Sequence, residues 1–125
     1  MKKEVIVIDT DRRQFHDLCE FLSEHHFTTV KMNAMRDVES YLCASNCRAV
    51  ILNLDNVRVT NKSLRDLKRR KPQTNIIVLS ERQLHPELEE AFREYISVCL
   101  KQPWDSDELV YWLQSIFKND EDPSG

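Results

Sequence analysis

The residues of this chain that could carry chemistry stand at the ends of apolar runs. Val50-Ile51-Leu52 stops at Asn53, Val5-Ile6-Val7-Ile8 stops at Asp9-Thr10-Asp11, and Ile76-Ile77-Val78-Leu79 stops at Ser80. A short apolar run bounded by polar residues reads as a strand buried on both faces, as in the middle of a parallel sheet. In open sheets of that kind the chemistry gathers at the carboxyl ends of the strands. Asn53 is then the position on which a reaction would turn. Its side chain is an amide, uncharged and far less nucleophilic than a carboxylate.

Other reactive types are scattered. Cys43 and Cys47 lie four apart, on or just after a helix, and could share a face. A metal or redox site would need further ligands, and His16, His25 and His26 are the histidines nearest in sequence. The simpler reading is two small hydrophobes beside a helix end, since zinc sites show tighter paired spacing. Lys68-Arg69-Arg70-Lys71 could touch nucleic acid or an acidic partner. Cations closing a helix just before Pro72 explain that run fully, and the helix-terminus reading is preferred. His25-His26 reads as a helix terminus before it reads as a pH sensor. The one glycine, Gly125, excludes Gly-rich phosphate-binding loops.

The elements that must position these residues follow from periodicity. Strands are expected at 5–8, 28–32, 49–53, 75–79 and 98–100. The helix after the first strand presents Phe15, Leu18, Cys19 and Leu22 on one face, and the second presents Val38, Tyr41 and Leu42 and ends near Ser45-Asn46. Thr60 or Asn61 can cap the third, which buries Leu64 and Leu67. Pro86 suits the first residue of the fourth, with Leu88, Ala91, Phe92 and Tyr95 inward. Asp105 and Glu108 form a capping pattern for the last, whose inner face is Leu109, Trp112, Leu113, Ile116 and Phe117. Strand and helix alternate throughout, so the expected class is α/β, a parallel sheet covered by helices on both sides with right-handed crossovers.

The chain has 125 residues, 41% apolar and 31% charged, enough for one domain with one sizeable core. We expect that domain over 1–118 and a polar tail or the start of a linker over 119–125. A net charge of -3 argues against polyanion binding by bulk electrostatics. No apolar run approaches the roughly 20 residues of a membrane span, and the amino-terminal run is too short for a secretion signal. A cytoplasmic location with reduced thiols is the expectation.

Four local patterns, taken in order, resemble the receiver domain of bacterial response regulators over residues 3 to about 118. They are Val5 to Asp11, Ala49 to Asp55, Ile76 to Ser80, and Gln102-Pro103-Trp104-Asp105 through Leu109. The resemblance implies a CheY-like, flavodoxin-like (βα)5 sandwich with sheet order 2-1-3-4-5. It also implies a cis Gln102-Pro103 bond.

In that family an aspartate at the end of the third strand accepts a phosphoryl group, two acids after the first strand hold magnesium, and a lysine before the fifth-loop proline pairs with the phosphoryl oxygens. This sequence departs from the pattern at each point. Asn53 replaces the acceptor, Thr10 the second acid and Gln102 the lysine, with Lys101 one place too early. Cys99 stands at the aromatic switch position and Glu81 at the small residue after the switch hydroxyl, so Asp9, Ser80 and Pro103 remain as matches. The groups act cooperatively, and loss of the nucleophile alone should abolish transfer.

The expectation is a degenerate receiver, a pseudo-receiver and not an enzyme. Asp9, Thr10, Asn53, Ser80, Gln102 and Pro103 would form its vestigial pocket, with no cofactor and no working magnesium site. It would act as part of a transcription regulator through a protein partner or a homodimer. The face formed by the fourth helix, fifth strand and fifth helix, with Tyr95, Trp104, Tyr111 and Trp112, is the candidate interface. Nucleic acid would be reached only through an output domain outside this chain. The alternative is a phospho-accepting receiver working with a histidine kinase, with Asp55 as a substitute acceptor.

Overall fold

A computed structural model describes residues 3–43 and 47–121 of the chain. The elements run β1 (Glu4–Ile8), α1 (Arg12–Glu24), β2 (Thr28–Met32), α2 (Met35–Cys43), β3 (Ala49–Asn53), α3 (Asn61–Arg70), β4 (Asn75–Ser80), a 3-10 turn (Pro86–Leu88), α4 (Glu89–Glu94), β5 (Val98–Lys101) and α5 (Ser106–Glu121). The five strands are all parallel, in the order β2-β1-β3-β4-β5. This is the flavodoxin-like arrangement that the periodicity and the resemblance together led us to expect.

The strand at the centre explains why the sheet has two covers. Ala49 and Ile51 face one core and Val50 and Leu52 the other, because successive strand residues point to opposite sides. The first core packs under α1 and α5 with Leu18, Leu22, Leu109 and Leu113. The second packs under α2, α3 and α4 with Val38, Leu42, Leu64, Leu67 and Ala91. Every residue of β3 is buried, including Asn53. The edge strand β2 is half polar and only partly covered, as its composition suggested.

Local chemistry sets the helix ends. The Asp11 carboxylate accepts the Gln14 N–H at 2.9 Å and starts α1. Thr60 and Ser63 close a reciprocal capping box on α3. Asp105 accepts from the Glu108 N–H at 3.0 Å ahead of α5. The Lys68 ammonium donates to the Pro72 and Thr74 carbonyls at 2.9 and 2.8 Å, the role of a helix terminus.

Three expectations are corrected. The fourth helix does not begin as an α-helix at Pro86. Residues Pro86–Leu88 form a 3-10 turn without a side-chain cap, and the α-helix proper holds only Glu89–Glu94. Asn61, offered as a cap for α3, instead bridges to this short segment. Its Oδ1 accepts the Ala91 N–H at 2.8 Å and its Nδ2 donates to the Glu87 carbonyl at 3.3 Å. The last helix also continues through residue 121, into the stretch expected as tail. Residues 122–125, and the end of the second helix near Ser45-Asn46, lie outside the described residues.

Candidate functional site

The carboxyl ends of β1 and β3 bring Asp9 and Asn53 together, both 2% exposed. Parallel register sets Ile8 beside Leu52, so the next residues on each strand meet just past the end of the sheet. The Asn53 amide donates one N–H to Asp9 Oδ2 at 2.8 Å and the other to Gln14 Oε1 at 2.6 Å. Its carbonyl accepts the Asp55 backbone N–H at 3.0 Å. Asn56 repeats the pattern, donating to Asp9 Oδ1 at 2.9 Å and to Gln14 Oε1 at 3.3 Å. The Asp11 backbone N–H adds a third bond to Asp9 at 2.9 Å.

The result is a closed ring of two amide donors shared between the same two acceptors. A buried carboxylate is tolerable only when hydrogen-bonded, and Asp9 receives three N–H groups without any cation. With an acid at 53 the two side chains would repel and call for a metal or a proton between them. Thr10 supplies no ligand here, since its hydroxyl turns away to the Asn56 carbonyl at 3.2 Å. A hard divalent ion wants several oxygens free to coordinate. These residues offer one carboxylate whose two oxygens are already engaged, and they do not fit the ion.

Asp9, Asn53, Gln102 and Pro103 line one cavity of about 380 Å³, together with Gln14 and Trp104. Asp17 and Glu81 also reach it, and among the described residues no lysine or arginine does. Lys101 is paired with Ser80 in the β4–β5 register and is not among the lining residues. The Gln102-Pro103 bond is cis. Thr10 and Ser80, the other two residues of the expected pocket, do not line it. Ser80 is buried and its Oγ lies 2.7 Å from His85 Nε2.

Asp55 is exposed, and its carboxylate accepts the Glu81 backbone N–H at 3.0 and 3.1 Å, tying the loop after β3 to the end of β4. It borders a separate cavity of about 660 Å³ with Arg58, Arg82 and Leu88.

No protein-family model and no curated protein matches the sequence. Solved structures do match the fold. The signal receiver domain of an HD domain-containing protein from Pseudomonas fluorescens Pf-5 superposes with a TM-score of 0.82 at 20% identity, covering 95% of this chain and 97% of that one. This chain has the receiver fold. A two-component response regulator from Clostridium difficile gives 0.80 at 12% identity, over 97% and 100%. A chain in the co-crystal structure of the Saccharomyces cerevisiae histidine phosphotransfer signaling protein Ypd1 and the receiver domain of Ssk1 gives 0.72 at 14% identity, over 90% and 87%.

The receiver fold places the remaining candidates. Trp104 packs against Phe21, ring centroids 4.9 Å apart, and borders the cavity. Trp112 is half-buried on the core under α5, while Tyr111 meets it edge-on and is 63% exposed. Tyr95 is half-buried, its hydroxyl donating to Glu90 at 2.6 Å. Cys47 is buried with Sγ 3.2 Å from the Glu4 and Ala49 carbonyls, and burial pushes its thiol up. The side chain of Cys43 lies outside the described residues. His16 pairs with Glu20 and His25 packs on Phe21 at 4.6 Å. Among the described residues no three His, Cys, Asp or Glu side chains gather where a metal ion could be held, and among the described residues no helix is long and apolar enough to cross a membrane.

Sequence reasoning missed Gln14, Asn56 and His85. Asn56 stands three places after Asn53 in the turn that follows β3, and Gln14 stands three places after the Asp11 cap in the first turn of α1, which sets it over the strand ends. His85 directly precedes Pro86, a helix-entry position that was read only for its proline.

Proposed function

We propose that this chain is a non-phosphorylatable receiver-like signalling domain of a bacterial two-component-type transcriptional regulator. It works in the cytoplasm, by protein–protein contact or dimerisation, and is not an enzyme. One observation carries this reading: the Asn53 amide donates to Asp9 at 2.8 Å. A phosphoryl acceptor must offer an anionic oxygen outward. Position 53 instead offers an N–H inward, to Asp9, the acid that remains of the pair expected after the first strand.

The cavity's lining supports the same reading. Phosphoryl transfer needs positive charge around the incoming group. Asp9, Asp17 and Glu81 supply the opposite sign. The alternative, a phospho-accepting receiver served by a histidine kinase, would have to use Asp55. That carboxylate is engaged with the Glu81 backbone and borders a different cavity.

The test is intact mass after incubation with acetyl phosphate and magnesium. We expect no added phosphoryl mass. An added phosphoryl group lost in Asn53→Ala or in Asp55→Ala would overturn the reading and identify the acceptor.

For the docking face, α4, β5 and α5 are the candidate elements and a second copy of the chain the proposed partner. The outstanding Tyr111 supports this, since aromatic residues are enriched at interface centres. Light scattering across a concentration series should show self-association that Tyr111→Ser weakens. A chain that stays monomeric throughout would remove the dimer from the proposal and leave a different protein as partner.

A further inference from the structure

The loop after β4, held at Glu81 by Asp55, is also held at His85, a side chain that the proposed signalling role does not use. His85 is 8% exposed and Ser80 is 1% exposed. The imidazole stacks on Phe92, with centroids 4.9 Å apart and 18° between planes, and its Nε2 lies 2.7 Å from Ser80 Oγ. The ring is also a wall shared by two cavities. One of about 660 Å³ lies against the loop after β3, and one of about 540 Å³ lies beside Leu84 and Phe92. Leu84, directly before the histidine, is 80% exposed.

The hydrogen bonds around the ring favour its neutral form. Ser80 Oγ accepts the Arg82 backbone N–H at 3.1 Å. Its own single hydrogen has one acceptor in reach, His85 Nε2. The chain from the Arg82 N–H through the Ser80 O–H to Nε2 satisfies both the serine hydroxyl and Nε2 when the imidazole is neutral and carries its proton on Nδ1. A proton on Nε2 reverses that bond, so that Ser80 Oγ accepts from both Arg82 and the ring, its own hydrogen loses the Nε2 acceptor, and a charge is placed on a largely buried ring.

We propose that His85 is a proton-operated latch, which in its neutral form ties the 81–86 loop to Ser80 and on protonation releases that loop and joins the two cavities. The charged groups around it come from every neighbouring element. Arg82 and Glu87 flank it along the chain and are paired with each other. Asp55 and Arg58 face it across the larger cavity, and Glu89 and Arg93 across the smaller. Burial, and then Arg82, hold the imidazole below its ordinary value, while Glu87 and Asp55 oppose them. The latch is therefore closed at neutral pH and opens on acidification. This inference does not depend on the fate of Asn53.

Proton–carbon correlation spectra of the imidazole and proton–nitrogen spectra of the backbone, followed from neutral to acid pH on the whole chain, test it. We expect the ring to titrate below 6.5, the ordinary value, and the Arg82 amide to shift with the same midpoint. Hydrogen-exchange protection over 81–86 should fall along the same curve. Ser80→Ala removes the donor that favours the neutral ring, so its midpoint should move up. His85→Gln keeps an uncharged partner for Ser80 and should make both the Arg82 shift and the loop protection independent of pH. A ring titrating at or above 6.5, an Arg82 amide that does not follow it, or an unmoved midpoint in Ser80→Ala overturns the latch. Should Ser80→Ala fail to fold, the wild-type Arg82 amide and His85→Gln still decide.

Discussion

At the scale of single residues, position 53 holds an amide where phosphoryl transfer needs a carboxylate. Asn53→Asp puts an acceptor where two N–H donors stand, against Asp9 at 2.8 Å and Gln14 at 2.6 Å. Two satisfied acceptors lose their partners and two like charges meet. We expect a loss of about 1–3 kcal/mol in urea unfolding at neutral pH, shrinking as acid protonates one of the pair. Labelling of the same variant by acetyl phosphate and magnesium should remain absent, because Thr10 and Gln102 are unchanged. Robust labelling would mean that these two positions matter less than their geometry implies. The substitution of Asn53 was legible in the sequence. The ring it closes with Gln14 and Asn56 was not, since hydrogen-bond partners across loops leave no periodic trace.

At the scale of elements, the short α4 is held less by its own helix than by α3. Arg65 makes two bonds to the Glu90 carboxylate, at 2.9 and 2.8 Å, and Tyr95 adds a third at 2.6 Å. Arg65, then Tyr95, hold Glu90 down to about 2, against an ordinary value of 4.5. A folded-state value lowered in this way stabilises the fold above the unfolded value. That contribution fades as pH falls from 4.5 towards about 2. Acid unfolding followed by circular dichroism should therefore show a slope in this window that Glu90→Gln flattens. The effect should be small, because both partners are about a third exposed. Removing the cap in Thr60→Ala should cost about 1 kcal/mol, read as a lower urea midpoint. Helix and strand identities were readable from apolar spacing in all five units. The 3-10 start at Pro86 was not, because proline at a helix entry fits either geometry.

At the scale of the whole molecule, β3 joins two cores, and a cavity on either side of it is felt by both covers. Leu52→Ala should cost about 2–5 kcal/mol in chemical denaturation with one cooperative transition. Two separated transitions would show that the layers unfold independently. The parallel sheet was legible because strand and helix alternate and crossovers keep one hand, while the strand order came from the family resemblance. Which apolar residue faces which layer followed only from register. Spacing put Trp112 on the inner face of α5 and left Tyr111 off it, as the structure has them, but how far Tyr111 stands into solvent was not readable from spacing.

The turn after α1 carries a last consequence. His26 has a φ of 69°, the left-handed conformation that most chains give to glycine at a helix end. This chain keeps its only glycine at its last position, so a side chain with a Cβ bears the crowding there. His26→Gly should relieve about 1 kcal/mol of that crowding, part of it offset by the looser unfolded chain, and His26→Val should deepen it. Melting temperatures ranked Gly above His above Val would make this corner a ready handle for tuning heat tolerance without touching either cavity.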